Sequence, residues 1–153
     1  MKTLLLITCL ISLTSKGMYA PEVTIECNSR DIHSLYYFHN HRAKLLHAMI
    51  MVESNYNPLA VNEQEGAVGV LQIREVMVRH VNAISGGNYT LLDRYDPIKS
   101  IAMWDSLMIH RNPSYNIDTA LSLWNAGRKD ISKAPQRVQD MVNIYKLKVY
   151  NYL

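Results

Sequence analysis

Glu53 is the residue whose type and place most invite chemistry. It lies on the helical line of Ala43, Leu46, Met49 and Ile50, which is expected to face inward. A carboxylate on that face is desolvated, and desolvation raises its pKa. Glu53 also falls in the last turn of the expected helix, where the negative end of the macrodipole opposes an anion. Both effects favour a protonated acid near neutral pH, which is what a general acid requires. The competing reading is a glutamate that curls into solvent at a fraying helix end.

Two further blocks share the chain with it. About twenty residues on comes Gly66-Ala67-Val68-Gly69-Val70-Leu71-Gln72-Ile73, and later Ala120-Leu121-Ser122-Leu123-Trp124-Asn125-Ala126-Gly127. With Glu53-Ser54, these stand in the order Glu-Ser, Gly-Val-Leu-Gln, Trp-Asn. Asn55-Tyr56-Asn57-Pro58, Ala60 and Asp96-Pro97 flank them. Three ordered blocks with matching flanks are far more specific than any one of them. The arrangement resembles the catalytic domain of the soluble-type (SLT) lytic transglycosylases, in the lysozyme-like superfamily, over about residues 43 to 130.

The resemblance implies a lyase acting on the glycan strands of peptidoglycan. It would cut the β-1,4 bond between N-acetylmuramic acid and N-acetylglucosamine, leaving a 1,6-anhydro sugar. Glu53 would act as acid and then as base. Gln72 would hydrogen-bond sugar substituents from the cleft floor, and the backbone of Val70 and Leu71 would lie beside the glycan. Gly69 would permit that approach. Asn125 would orient an N-acetyl group or Glu53, and Trp124 would pack on Glu53 or on a sugar face. Ser54 is expected to bond locally at the helix end.

The chain departs from the family in four places. Trp124 stands where Tyr is usual, and an indole N–H does not copy a phenol hydroxyl. Leu71 replaces a common Met, which conserves volume. Arg74-Glu75 occupy a segment that often carries Pro. After Pro135 the family often places a Tyr near the cleft. This chain has Val138, Gln139 and Asp140 in that register, and Tyr145 reads as core.

An acid acting alone suffices if the attacking hydroxyl is tethered in the substrate, where effective molarities reach about 10⁵ M or more. Ordinary glycosidases need a second carboxylate. Glu63 and Glu65 flank the Gly turn and are expected to be solvated loop charge. Either one across the cleft from Glu53 would make inverting hydrolysis credible. A hydrolytic muramidase is therefore one alternative; a non-catalytic wall-binding module on the same fold, suggested by Trp124 in place of Tyr and opposed by the intact Glu53, is another.

The elements that must position these residues are mostly helical. A helix is expected from Asp31 to about Asn55, with a break near Asn40 conceivable and Asn57-Pro58 as the stop. Residues 58–73 mix turn residues with short β-like runs, as in a small hairpin. Helices follow at about 74–84, ended by Gly86-Gly87, and from Asp96-Pro97 through Ile98, Ile101, Trp104, Leu107 and Met108. Another runs from Ile117 to Trp124 and closes near Gly127. Pro135 opens the last, with Val138, Met141, Val142, Tyr145 and Val149 on one stripe. The class is mainly α, or α+β with a minor hairpin, in a single domain over 21–153.

Residues 1–20 read as a secretory signal peptide, with basic Lys2, an apolar run from Leu4 to Leu13, and small residues through Ala20. A lipoprotein signal at Cys9 lacks the small residue expected before the cysteine. Export to the periplasm or cell-wall space follows. Of 16 Lys and Arg against 13 Asp and Glu, the segment carries two cations, so 14 remain and the net charge falls from +3 to +1. Nothing in that charge points to nucleic acid. With Cys9 gone, Cys27 is alone and stability must come from packing.

The six histidines form no ligand motif: His39 and His41 face different ways, and His47 lies six further on. No metal or cofactor is expected, nor stable membrane insertion once the signal is removed. A monomer acting on glycan strands is the expectation. A stand-alone domain this small suits a wall-opener for a secretion, conjugation or phage apparatus.

Overall fold

The computed structural model describes residues 29–153, with side chains from 41 onward. The expected signal peptide, Cys9 and Cys27 lie outside the described residues. The fold is mainly helical, with a single two-stranded antiparallel sheet among the described residues.

α1 spans Ser29–Ser54 without a break at Asn40. Its buried line is Leu45, Ala48, Met49 and Ile50. The expected line is corrected at Ala43, which is exposed. The helix stops before Pro58 exerts any effect. Asn55 (φ 50°) and Tyr56 (φ 63°) are both left-handed, a conformation that ends helical hydrogen bonding at once. The Tyr56 hydroxyl meets Nδ1 of His47 at 2.5 Å, which folds the turn back along the helix.

The next segment forms the hairpin of β1 (Val61–Asn62) and β2 (Ala67–Val68), with Val61 opposite Val68 and Asn62 opposite Ala67. A further bridge pairs Val68 with Ile73, so residues 69–72 form a tight turn. Gly69 has φ +80°, and a Cβ on it would stand 1.9 Å from the Arg94 carbonyl oxygen. Only glycine fits there. Arg94 clamps the hairpin from outside by donating Nη1 to the carbonyls of Gly66 and Ile73, each at 3.1 Å.

α2 (Glu75–Ser85) ends on left-handed Gly86. A 3-10 turn (Leu92–Tyr95) leads into α3 (Pro97–Arg111). There Asp96 caps the backbone N–H groups of Ile98 and Lys99, and Pro97 takes the first turn, where its missing N–H costs nothing. The inward stripe of α3 is Met103, Trp104, Leu107 and Met108. Ile98, expected on that stripe, is 79% exposed. α4 (Ile117–Ala126) is capped by Asn116 and closed by left-handed Gly127. α5 (Gln136–Tyr150) follows Pro135. α5 packs on α1 and α4, while α2 packs on α3. The core they share centres on Met49, Leu71, Trp104, Leu121 and Val149. No described helix is long and apolar enough to cross a membrane.

Candidate active site

The C-terminal end of α1, the 69–72 turn, the end of α4 and the middle of α5 converge on one groove of about 290 Å³. Four of the residues singled out in the sequence line it: Glu53, Gln72, Trp124 and Asn125. Ser54, Gly69, Val70 and Leu71 do not line it. Ser54, Gly69 and Val70 support it from behind through hydrogen bonds, and Leu71 through burial in the core.

Glu53 is partly buried, and its Oε1 accepts a 2.7 Å hydrogen bond from the Tyr145 hydroxyl. Its pKa is pushed up to about 7, chiefly by burial. Hydrogen bonding from the Tyr145 and Trp124 side chains opposes this, as does the charge of Arg74, while the charge of Glu65 adds to it. Desolvation wins because the anion gains two donors but loses most of its water. Near neutral pH the carboxyl is thus divided between a proton-donating and a proton-accepting form, the condition that acid–base work requires.

Tyr145 is the functional neighbour that sequence reasoning missed. It is part of the core, as expected, yet its hydroxyl reaches the acid from α5. Its pKa lies well above the ordinary value through burial and the adjacent Glu53, so it stays a donor. The register after Pro135 pointed at Val138 to Asp140, two turns too early. The signal available was the i, i+4 stripe Met141–Tyr145, whose two residues both line the groove.

Ser54 does more than bond locally. Its Oγ donates to the Val70 carbonyl at 2.8 Å, joining the acid-bearing helix to the Gly turn. Val70 and Leu71 are buried beneath that link. Val70 thus has its carbonyl engaged by Ser54 rather than open to a glycan. The close approach that requires Gly69 is to the Arg94 carbonyl, not to a ligand. Gln72 sits at φ 48°, left-handed for a residue with a side chain, and its Nε2 donates to the carbonyls of Ala60 (3.2 Å) and Gly69 (3.0 Å). Such a conformation persists only where surrounding bonds impose it.

Trp124, 6% exposed, supplies a wall beside Glu53. Asn125 Oδ1 is buried with no hydrogen-bond partner. An orphaned acceptor of this kind costs about 1–3 kcal/mol while it stays unpaired. Arg74 and Glu65 also line the groove. Arg74 ties α2 to α4 by donating Nη2 to the Asn125 carbonyl at 3.3 Å. Glu63 is not among the lining residues. No cluster of three or more His, Cys, Asp or Glu among the described residues is placed to hold a metal ion.

The comparisons agree with this arrangement at the level of family. No curated protein and no solved structure gives a match. The family model described as "Transglycosylase SLT domain" matches residues 36–145, well over half of the chain, and takes in every residue of the groove. The chain belongs to the SLT transglycosylase domain family.

Proposed function

We propose that this chain is a peptidoglycan lytic transglycosylase in which Glu53 does the proton chemistry. The glycan strand lies in the groove with the bond between N-acetylmuramic acid and N-acetylglucosamine at Glu53. The protonated carboxyl gives its proton to the glycosidic oxygen as an oxocarbenium-like centre develops. The sugar's own acetamido oxygen supports the anomeric carbon. The C6 hydroxyl of the muramic residue then attacks that carbon, and the Glu53 carboxylate takes its proton. The product is a 1,6-anhydro sugar, with no water consumed. Between the two steps the Tyr145 hydroxyl steadies the carboxylate.

A turn of the Asn125 side chain toward the groove would bring its buried, unpaired acceptor to the N–H of an acetamido group. The observation that carries the reading is the partly buried acid, with a pKa of about 7, in a groove shared with Gln72 and Asn125. In this reading residues 1–20 are the export signal and the protein acts as a monomer in the periplasm or wall space.

Digestion of purified sacculi followed by mass spectrometry of the muropeptides tests the reaction. Products one water lighter than the hydrolytic ones are expected, and Glu53→Gln should abolish them. Muropeptides with only reducing ends would refute it.

One observation favours a second reading, hydrolysis. Glu65 lines the same groove and acts electrostatically on Glu53. If Glu65 activates water, Glu65→Gln removes turnover and the wild-type products carry reducing ends. If it is only a neighbouring charge, the variant still yields anhydro products.

A further inference from the structure

The groove contains a cation that neither gives nor takes a proton in that chemistry, although its field reaches Glu53. Arg74 is partly buried and lines the groove with Glu53, Gln72 and Asn125. Its guanidinium has five N–H donors. One hydrogen bond engages it, from Nη2 to the Asn125 carbonyl. It forms no ion pair with a carboxylate among the described residues; adjacent Glu75 pairs with Arg79 instead. Arg74 also occupies the N-cap of α2 without any side-chain capping bond, where Ser, Thr, Asp or Asn would stabilise the helix. A residue that breaks a local rule, lines a cleft and keeps most of its donors free of protein partners is a candidate for ligand recognition.

A guanidinium is a planar fork that matches a carboxylate through two parallel bonds, and partial burial strengthens them. The glycan has such groups beside the bond to be cut, on the lactyl arm of the muramic residue or on the peptide stem attached to it. The two polar neighbours of Arg74, Gln72 and Asn125, are uncharged amides suited to the sugar. The one other acid lining the groove besides Glu53 is Glu65, so an anionic substituent needs Arg74 to offset repulsion.

We propose that Arg74 is a specificity-determining residue that binds a carboxylate carried by the muramic residue or its stem, so that the groove selects acidic over neutralised strands. This inference rests on the groove being a glycan site, as proposed above, but not on which product the reaction gives.

The test measures binding as well as turnover. Calorimetric titration in a Glu53→Gln background uses four tetrasaccharides: one with free stem carboxylates, one with those groups amidated, one without stems but with free lactyl carboxylates, and the amide of that last one. Binding of an acidic ligand should be about tenfold or more tighter than binding of its amide. Adding Arg74→Gln should bring the two within about twofold, and Arg74→Lys should keep part of the preference, since it retains charge but not the fork. A preference confined to the stem-bearing pair assigns the stem as the source. A preference that persists without stems assigns the lactyl arm.

Equal weakening of acidic and amidated ligands by Arg74→Gln would reduce Arg74 to a strut for Asn125 and overturn the inference. So would a parent protein that does not discriminate. Absence of anhydro products from wild type alongside a preserved binding preference would defeat the transglycosylase reading alone. No glycan binding at all would defeat both.

Discussion

Replacing Tyr145 with Phe removes one oxygen, the one that lies 2.7 Å from Glu53 Oε1. The ring remains, so the core contact on α5 is kept. A hydrogen bond to a charged acceptor contributes about 1.5–3 kcal/mol, and one to the neutral acid about 0.5–1.5. The difference, about 1–1.5 kcal/mol, corresponds to about one pH unit at 1.36 kcal/mol each. The bond favours the anion, so its loss raises the Glu53 pKa further above its present value of about 7. The proposed reaction must start with the proton on Glu53. The alkaline limb of kcat/KM should therefore move up by about one pH unit, even as kcat falls about tenfold because the nascent carboxylate has lost its donor. Tyr145 does not itself account for the limb, because burial and Glu53 hold its phenol well above the ordinary range. Release of anhydro muropeptides across pH 5–9 gives the profile, and a carbon-13 carboxyl titration without substrate gives the pKa directly. A limb that stays in place or moves down would refute the electrostatic reasoning, whatever happened to the rate.

The same acid sets a pH dependence of stability. The folded pKa of Glu53 is about 7 against an ordinary 4.5, so the native state binds the extra proton. Its stability is full below about pH 4.5 and falls as pH rises through 7, by up to about 3 kcal/mol. Glu53→Gln should match wild type near pH 4 and exceed it above pH 7.5, as urea denaturation at the two pH values will show. Gly69→Ala forces a side chain onto the Arg94 carbonyl in a left-handed conformation. It should cost about 3 kcal/mol or more, or leave no folded protein in a thermal melt. Ser54→Ala strands the Val70 carbonyl and should cost about 1–3 kcal/mol by chemical denaturation.

Most of the helical frame is legible from punctuation in the chain. Asp96-Pro97, Gly86, Gly127 and Pro135 mark helix ends where the structure has them, because each has a local reason to be there. The apolar lines are less reliable at their ends. Ala43 and Ile98 fit the period but fall where no element among the described residues covers the helix, and periodicity carries no information about that cover. The end of α1 falls where it was expected, but its cause was not legible: a tyrosine in a left-handed conformation is held by His47, not by its own preference. At the site, the three blocks identify Glu53, Gln72, Trp124 and Asn125. The donor from α5 depends on a tertiary contact 92 residues away in sequence, which no local pattern encodes.

Gln72 is held by its own amide nitrogen, whose hydrogens go to Ala60 and Gly69. Its remaining polar atom is an oxygen, which only receives hydrogens. A substrate group meeting this part of the trench must bring its own O–H or N–H. If the proposed glycan site is right, a sugar that presents only oxygen lone pairs to Gln72 would gain no bond from it. That preference demands no adjustment on arrival, because the carbonyls of Ala60 and Gly69 already hold the glutamine.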